Sequence, residues 1–203
     1  MREESCVYCQ EFKRGYFAWE GKNYGSRIIH ETENFVVFPS LGPLKEGHIL
    51  IAPREHRFGM SAVPEEHYKE LEAILKEMQE KLSQVYGTSI LFEHGDINRE
   101  KKAGSCIQHG HFHAIPADIE LILYLKRHFT GREVSDLVEL REQTRKHEPY
   151  LFVEEKGKRY IFPVADILPS QYLRQAVAVL LGRRERWDWR NIVNIEEMVQ
   201  KKG

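Results

Sequence analysis

The segment Gln108-His109-Gly110-His111-Phe112-His113 sets an imidazole at every second position. Along an extended chain, residues i, i+2 and i+4 share one face, roughly 7 Å apart at each step. Histidine is both a metal ligand and a nucleophile near neutral pH, so three such side chains on one surface can do chemistry. Apolar residues would stabilise that face better, and a purely structural strand gives no reason for the pattern. A solvent-facing strand that happens to be histidine-rich is the bland reading. Two chemical readings compete with it. A three-histidine zinc could activate water, or a neutral imidazole could itself attack an electrophile. Spacing alone leaves both open.

A second cluster of reactive types opens the chain, Cys6-Val7-Tyr8-Cys9. Three cysteines in all argue against a disulfide scaffold. In a reducing cytoplasm the Cys-x-x-Cys spacing reads as half a zinc site before it reads as a bridge. The third, Cys106, reads as a buried thiol more readily than as a nucleophile.

These residues need elements to hold them. Residues 27–31 and 35–39 are apolar, β-rich runs bounded by turn residues, and His48-Ile49-Leu50-Ile51-Ala52-Pro53 is a third strand stopped by its proline. Residues 64–86 carry Tyr68, Leu71, Ile74, Leu75, Met78, Leu82 and Val85 at helical spacing, opened by Pro64 and closed by Gly87. Residues 89–95 read as a strand, 96–104 as a polar loop, and Cys106 to Ile115 as the next strand, closed by Pro116. Beyond it, 118–129 and 133–147 look helical. Residues 150–154 and 159–164 form a hairpin about Gly157. Ser170 N-caps a helix from Gln171 to Leu181, and 195–201 adds a short one. The expected organisation is a compact α+β core over 1–116 and an extension over 117–203 packed onto it.

Composition narrows the partners. The 203 residues are 41% apolar, enough for a real core, and 30% charged with a net charge of -1. No long-range field recruits nucleic acid or an anionic membrane. No stretch approaches the ~20 apolar residues of a membrane span, and Met1 to Ser5 leads into no apolar run, so a secretory signal is not expected. The reading is a cytoplasmic protein with a small-molecule partner.

The ordered motifs carry a family resemblance. Gly104-Ser105-Cys106-Ile107-Gln108-His109-Gly110-His111-Phe112-His113-Ala114-Ile115-Pro116 resembles the histidine-triad (HIT) signature. Gly47-His48-Ile49-Leu50-Ile51-Ala52-Pro53-Arg54-Glu55-His56 is similar to the family's Gly-His-apolar-Pro-x-x-His segment, and Phe92-Glu93-His94-Gly95 to the strand before the triad. The resemblance covers roughly residues 5–116. It implies a HIT-like fold, an antiparallel sheet of about five strands with a long helix, here followed by a C-terminal α/β extension. It implies a nucleotide or dinucleotide substrate whose α-phosphorus is attacked by His111 to form a nucleotidyl-histidine. His113 then resembles the residue that contacts the phosphate and helps the leaving group, and His48 a further active-site histidine. Histidine at 113, where the transferase branch tends to carry glutamine, favours a hydrolase. A nucleotidyltransferase or phosphorylase, and a nucleotide-binding module with little turnover, are the alternatives. Small family members are usually homodimers.

The galactose-1-phosphate uridylyltransferase branch pairs a Cys-x-x-Cys with two histidines around a structural zinc. Carried over, the ligands are Cys6, Cys9, His56 and His109. Where many relatives place a phosphate-binding hydroxyl this chain has Cys106, next to Ser105. Where many carry a ribose-binding Asp or Asn it has Ser40. Phe35, Val37 and Leu41 are the expected wall of a base pocket. Arg99, Lys101 and Lys102 either meet a polyphosphate tail or are solvated. Gln171-Tyr172-Leu173-Arg174 and Trp187-Asp188-Trp189-Arg190 are similar to C-terminal segments of larger members. Gln171 or Arg174 would reach a distal phosphate or leaving group. The plainer expectation is that Leu173, Val177, Leu180 and the tryptophans glue the extension to the core.

Overall fold

A computed structural model describes residues 5–193; the short helix expected over 195–201 lies outside them. In chain order the elements are α1 (Val7–Arg14), β1 (Ala18–Trp19), β2 (Lys22–Asn23), β3 (His30–Glu31), β4 (Phe35–Pro39), β5 (Ile49–Pro53), α2 (Tyr68–Tyr86), β6 (Ser89–Gly95) and β7 (Phe112–Pro116). Then come α3 (Leu121–Leu125), β8 (Arg132–Val134), α4 (Arg141–Lys146), β9 (Tyr150–Glu155), β10 (Lys158–Pro163) and α5 (Tyr172–Leu180). The fold is α+β, as expected. An eight-stranded antiparallel sheet runs β3-β4-β5-β7-β6-β9-β10-β8, with β1 and β2 as a separate hairpin. The first five strands of that order come from the residues before 117. The hairpin of β9 and β10 continues the same sheet, because β9 pairs with β6 from Leu91↔Glu154 to Gly95↔Tyr150.

Strand alternation sorts side chains to two covered faces. One face packs under α2, where Phe35, Val37, Ile51, Leu91, Phe112 and Phe152 meet Leu71, Ile74, Leu75 and Met78. On the other, Phe92, Leu151, Val153 and Phe162 pack against Leu121 and Leu125 of α3 and Leu173 and Val177 of α5. Farther along it, Val36, Phe38, Leu50 and Ala52 meet Cys6 and Tyr8. The register Leu50↔His113 and Phe92↔His113 puts His113 in the middle of this second face. The long helix α2 follows a 3-10 turn at Glu65–His67 and ends at Gly87 with φ 81°. Val85, counted in its apolar face, is 72% exposed.

Four local expectations change. The strand expected from Cys106 begins only at Phe112. The Gly110 N–H bonds to the Arg57 carbonyl at 2.6 Å, and a Cβ at Gly110 would sit 2.6 Å from the Gly59 Cα, so the chain is drawn against 57–59 before it joins the sheet. Of 118–129 only Leu121–Leu125 is α-helical; its first N–H groups donate to the Glu155 carboxylate on β9. Residues 133–147 split into β8, a 3-10 turn and α4, because Asp136 and Glu139 form a capping box that ends the strand. Helix α5 has Gln171 at its N-cap, at φ 61°, and not Ser170.

Glu93 on β6 sits fully buried, accepting from the Met60 N–H at 2.6 Å and the Tyr150 hydroxyl at 2.5 Å. Burial pushes its carboxyl up to about 8. The folded state therefore holds a proton that the unfolded chain loses in the ordinary carboxylate range, and stability falls as pH rises toward 8. Glu93→Gln, neutral throughout, should flatten the decline in melting temperature between pH 5 and 8 in scanning calorimetry. A decline as steep as in the parent protein would show that Glu93 is not its source.

Candidate active site

Four histidines, His48, His94, His111 and His113, gather on the second face. Their partners fix which nitrogen of each carries the proton, because a backbone N–H only donates and a carbonyl only accepts. The Leu44 N–H donates to His48 Nδ1 at 3.2 Å, so His48 carries its proton on Nε2 and donates to His113 Nδ1 at 2.9 Å. His113 therefore keeps its own N–H on Nε2. His111 Nδ1–H donates to the His109 carbonyl at 2.7 Å, which leaves the lone pair on Nε2. The Leu173 N–H, in the first turn of α5, donates to His94 Nε2 at 2.8 Å.

The rings of His111 and His113 lie 4.7 Å apart. His113 stacks on Phe92 at 4.6 Å, and Tyr8 meets His111 edge-on at 5.5 Å. All four imidazoles are held neutral. Burial lowers His48 and His113 well below the ordinary value, His111 to about 4 and His94 to about 3, and the nearby guanidinium of Arg174 lowers all four further.

The first histidine of the triad faces elsewhere. His109 Nε2–H donates to the Pro53 carbonyl at 2.8 Å, which turns the Nδ1 lone pair to Cys6 Sγ and Cys9 Sγ, each at 3.4 Å. His56 Nδ1 lies 3.4 Å from Cys9 Sγ. Among the described residues, Cys6, Cys9, His56 and His109 are the group whose ligand atoms converge, all within 4.8 Å of one another. A tetrahedral ion bonded at about 2.3 Å to sulfur and about 2.0 Å to nitrogen needs sulfur and nitrogen roughly 3.5 Å apart. The donor set and spacing fit such an ion, and the bond to Pro53 fixes the His109 ring with Nδ1 toward the thiols. The three-histidine metal centre that spacing alone left open would need His109, His111 and His113 to converge, and they do not. The cysteines enter from the start of α1, which is clamped to the sheet. Arg27 pairs with Glu11 at 2.7 and 2.8 Å and donates to the Pro39 carbonyl at 2.6 Å.

His111 and His113 line a cleft with Tyr8, His94, Arg174 and Trp189, and the expected Ser40, Leu41, Ser105 and Cys106 also line it. His48 lies behind it, bonded to His113. The Ser105 hydroxyl donates to Asp96, which spends its proton, and Cys106 Sγ accepts from Trp189 Nε1 at 3.1 Å. The cleft's free volume is about 30 Å³, room for a water or two. A second hollow of about 110 Å³ shares Tyr8, Leu41, Ile107 and Trp189 with it and adds Tyr16, Phe17 and Trp19.

Phe35 is not part of either wall. With Val37 it points to the opposite face and packs under α2, because β4 is covered on both sides. Lys101 and Lys102 line a separate depression with His147, and Lys101 donates to the His147 carbonyl. Tyr8 and His94 carried no role in the sequence reading. Tyr8 lies between the two cysteines, so any site that uses both brings it along.

The HIT domain family matches residues 22–119. Those residues form a HIT domain, of a family whose members are generally nucleotide hydrolases and transferases. An uncharacterized HIT-like protein of Mycoplasma pneumoniae is 29% identical over 116 residues, 57% of this chain and 74% of that protein. An adenosine 5'-monophosphoramidase of Candida albicans is 25% identical over 119 residues, 55% of this chain and 70% of that one. A Zn-bound histidine triad family protein from Mycobacterium smegmatis has 18% identity and a TM-score of 0.45, over 71% of this chain and 96% of that one. No helix among the described residues is long and apolar enough to cross a membrane.

Nitrogen NMR of labelled imidazoles checks the tautomers directly. At pH 7, His111 should appear as the Nδ1–H form and His48 and His113 as the Nε2–H form. An imidazolium signal from His113 would contradict the hydrogen-bond chain.

Proposed function

We propose that the protein is a nucleotidyl hydrolase acting on nucleoside phosphoanhydrides or phosphoramidates, dinucleoside polyphosphates among them. The carrying observation is the pairing of two neutral imidazoles with opposite roles 4.7 Å apart. His111 offers an Nε2 lone pair, held by its bond to the His109 carbonyl, and His113 offers an Nε2–H, held by His48. His111 Nε2 bonds to the α-phosphorus as the bond from phosphorus to the leaving atom breaks, while the His113 N–H hydrogen-bonds that departing atom. Water then cleaves the nucleotidyl-histidine. The net reaction consumes one water and yields a nucleoside monophosphate and the protonated leaving group. Splitting one displacement into two lowers the barrier of each. The monophosphoramidase relative agrees with this substrate class. In this reading the nucleoside lies in the aromatic hollow of Tyr16, Phe17 and Trp19 beside the cleft, and Ser40 and Leu41 flank the sugar. Transfer to phosphate in place of water remains the second reading, separated by product analysis with and without phosphate.

His111→Ala should lose at least ~10³-fold in turnover, and base-quenched parent protein should carry the nucleotide on His111 by mass spectrometry. Full activity in the variant would end the proposal.

In the same reading Cys6, Cys9, His56 and His109 hold a structural zinc. Two thiolates and two imidazoles are a zinc donor set, and with four protein ligands the ion keeps no open position for water. Bound there, it supplies rigidity. His109 passes this to His111 through its carbonyl. Thiols kept for metal binding suit the reducing cytoplasm. Metal analysis should find zinc, and its removal by a chelator should lower the melting temperature by more than about 5 °C. Zinc-free protein of unchanged melting temperature would contradict the assignment.

A further inference from the structure

The cleft in front of His111 carries a buried cation and no anion. Among its described lining residues there is neither Asp nor Glu, and its one fixed charge is the Arg174 guanidinium, 3% exposed. Arg174 lies near the start of α5. Its Nε donates to the Trp187 carbonyl at 2.9 Å and one terminal nitrogen to the Gly42 carbonyl at 2.7 Å, both neutral acceptors. No carboxylate pairs with it among the described residues. Asp188, within its field, is already taken by Arg190 in contacts at 2.7 and 2.8 Å and accepts from Gln171 as well. Arg186, also nearby, adds a like charge.

Burying a charge without a counter-ion is costly unless something in the site's working cycle supplies one. The neighbouring groups cannot. The Ser105 hydroxyl is spent on Asp96, and no lining residue carries a carboxylate. The first-turn N–H of Leu173, also facing this region, adds positive potential and ends on His94. A guanidinium presents a planar fork that matches two oxygens of a phosphoryl group.

We propose that Arg174 binds the non-bridging oxygens of the phosphoryl group that His111 receives, so that the extension supplies the charge that makes the cleft select nucleotides over nucleosides. This rests on the reading of His111 given above. During attack the phosphoryl oxygens gain negative charge, and a fixed cation beside them acts more strongly there than in the ground state. Arg174 is then both a binding and a catalytic residue, although it lies outside residues 22–119 that match the HIT family.

The test compares adenosine, AMP and inorganic phosphate as stabilisers of the full chain in thermal unfolding, in the parent protein, Arg174→Gln and Arg174→Lys. The parent should be stabilised by AMP well beyond adenosine or phosphate, with the difference shrinking as KCl rises. Arg174→Gln should respond to AMP and adenosine alike, with zinc content unchanged, and should lose ~10²–10³-fold in kcat/KM on a nucleoside phosphoramidate. Arg174→Lys should restore part of both. Equal stabilisation of the parent by AMP and adenosine would overturn the proposal, and needs no variant to fold. So would an AMP preference retained in Arg174→Gln. Phosphate alone matching AMP would overturn the nucleotide assignment. An AMP preference that depends on Arg174 in a protein that never forms a His111 adduct would sink the hydrolase reading and leave the anion site standing.

Discussion

Four imidazoles packed side by side, with a buried guanidinium among them, cannot hold an extra proton. Each charged form would lose its solvation and repel its neighbours. Every ring is therefore neutral, with one donor nitrogen and one acceptor nitrogen, and the backbone decides which is which. From the Leu44 N–H the pattern runs through His48 to His113 and emerges in the cleft as an N–H. From the His109 carbonyl it runs through His111 and emerges as a lone pair. A lone pair and an N–H thus stand side by side, although both come from the same residue type on the same strand approach.

His109 couples this pattern to the cluster of Cys6, Cys9 and His56. Three of its polar atoms have three different tasks. Nε2–H is bound to Pro53 at the end of β5, Nδ1 faces the two thiols, and the carbonyl holds His111. A rotation of the His109 peptide would release His111 and distort the four-residue cluster together. Tyr8, edge-on to both His109 and His111, and the Arg27–Glu11 pair beneath it hold α1 in the position this coupling needs.

The chemistry-bearing residues were legible in the sequence because type and spacing carry them. The period-two histidines and the Cys-x-x-Cys both came together as expected from the resemblance, with His56 completing the cluster. What was illegible depends on contacts distant in the chain. Phe35 and Leu41 read alike as apolar wall residues, but β4 is buried on both faces and only the packing of α2 decides that Phe35 turns away from the site. The late start of β7 is set by Gly59 touching Gly110, a contact across 51 residues that periodicity cannot register. The apparent helix over 133–147 is interrupted at Asp136, where the Asp-x-x-Glu of residues 136–139 forms a capping box that starts a new turn.

The residues after 116 are built into the site and do not merely cover it. Strand β9 forms the neighbour of β6 in the sheet, so Phe92 is held from both sides and His94 is paired with Leu151. Helix α5 spends its Leu173 N–H on His94, and Arg174 ties the loop at Gly42 to the carbonyl of Trp187. At Gly42 the approach is so close that a Cβ would stand 2.5 Å from the Trp189 Cα. Trp189 in turn meets Cys106 through its indole N–H, Trp19 edge-on and Gln171 through its backbone N–H, so residues from both sides of position 116 make one cleft wall.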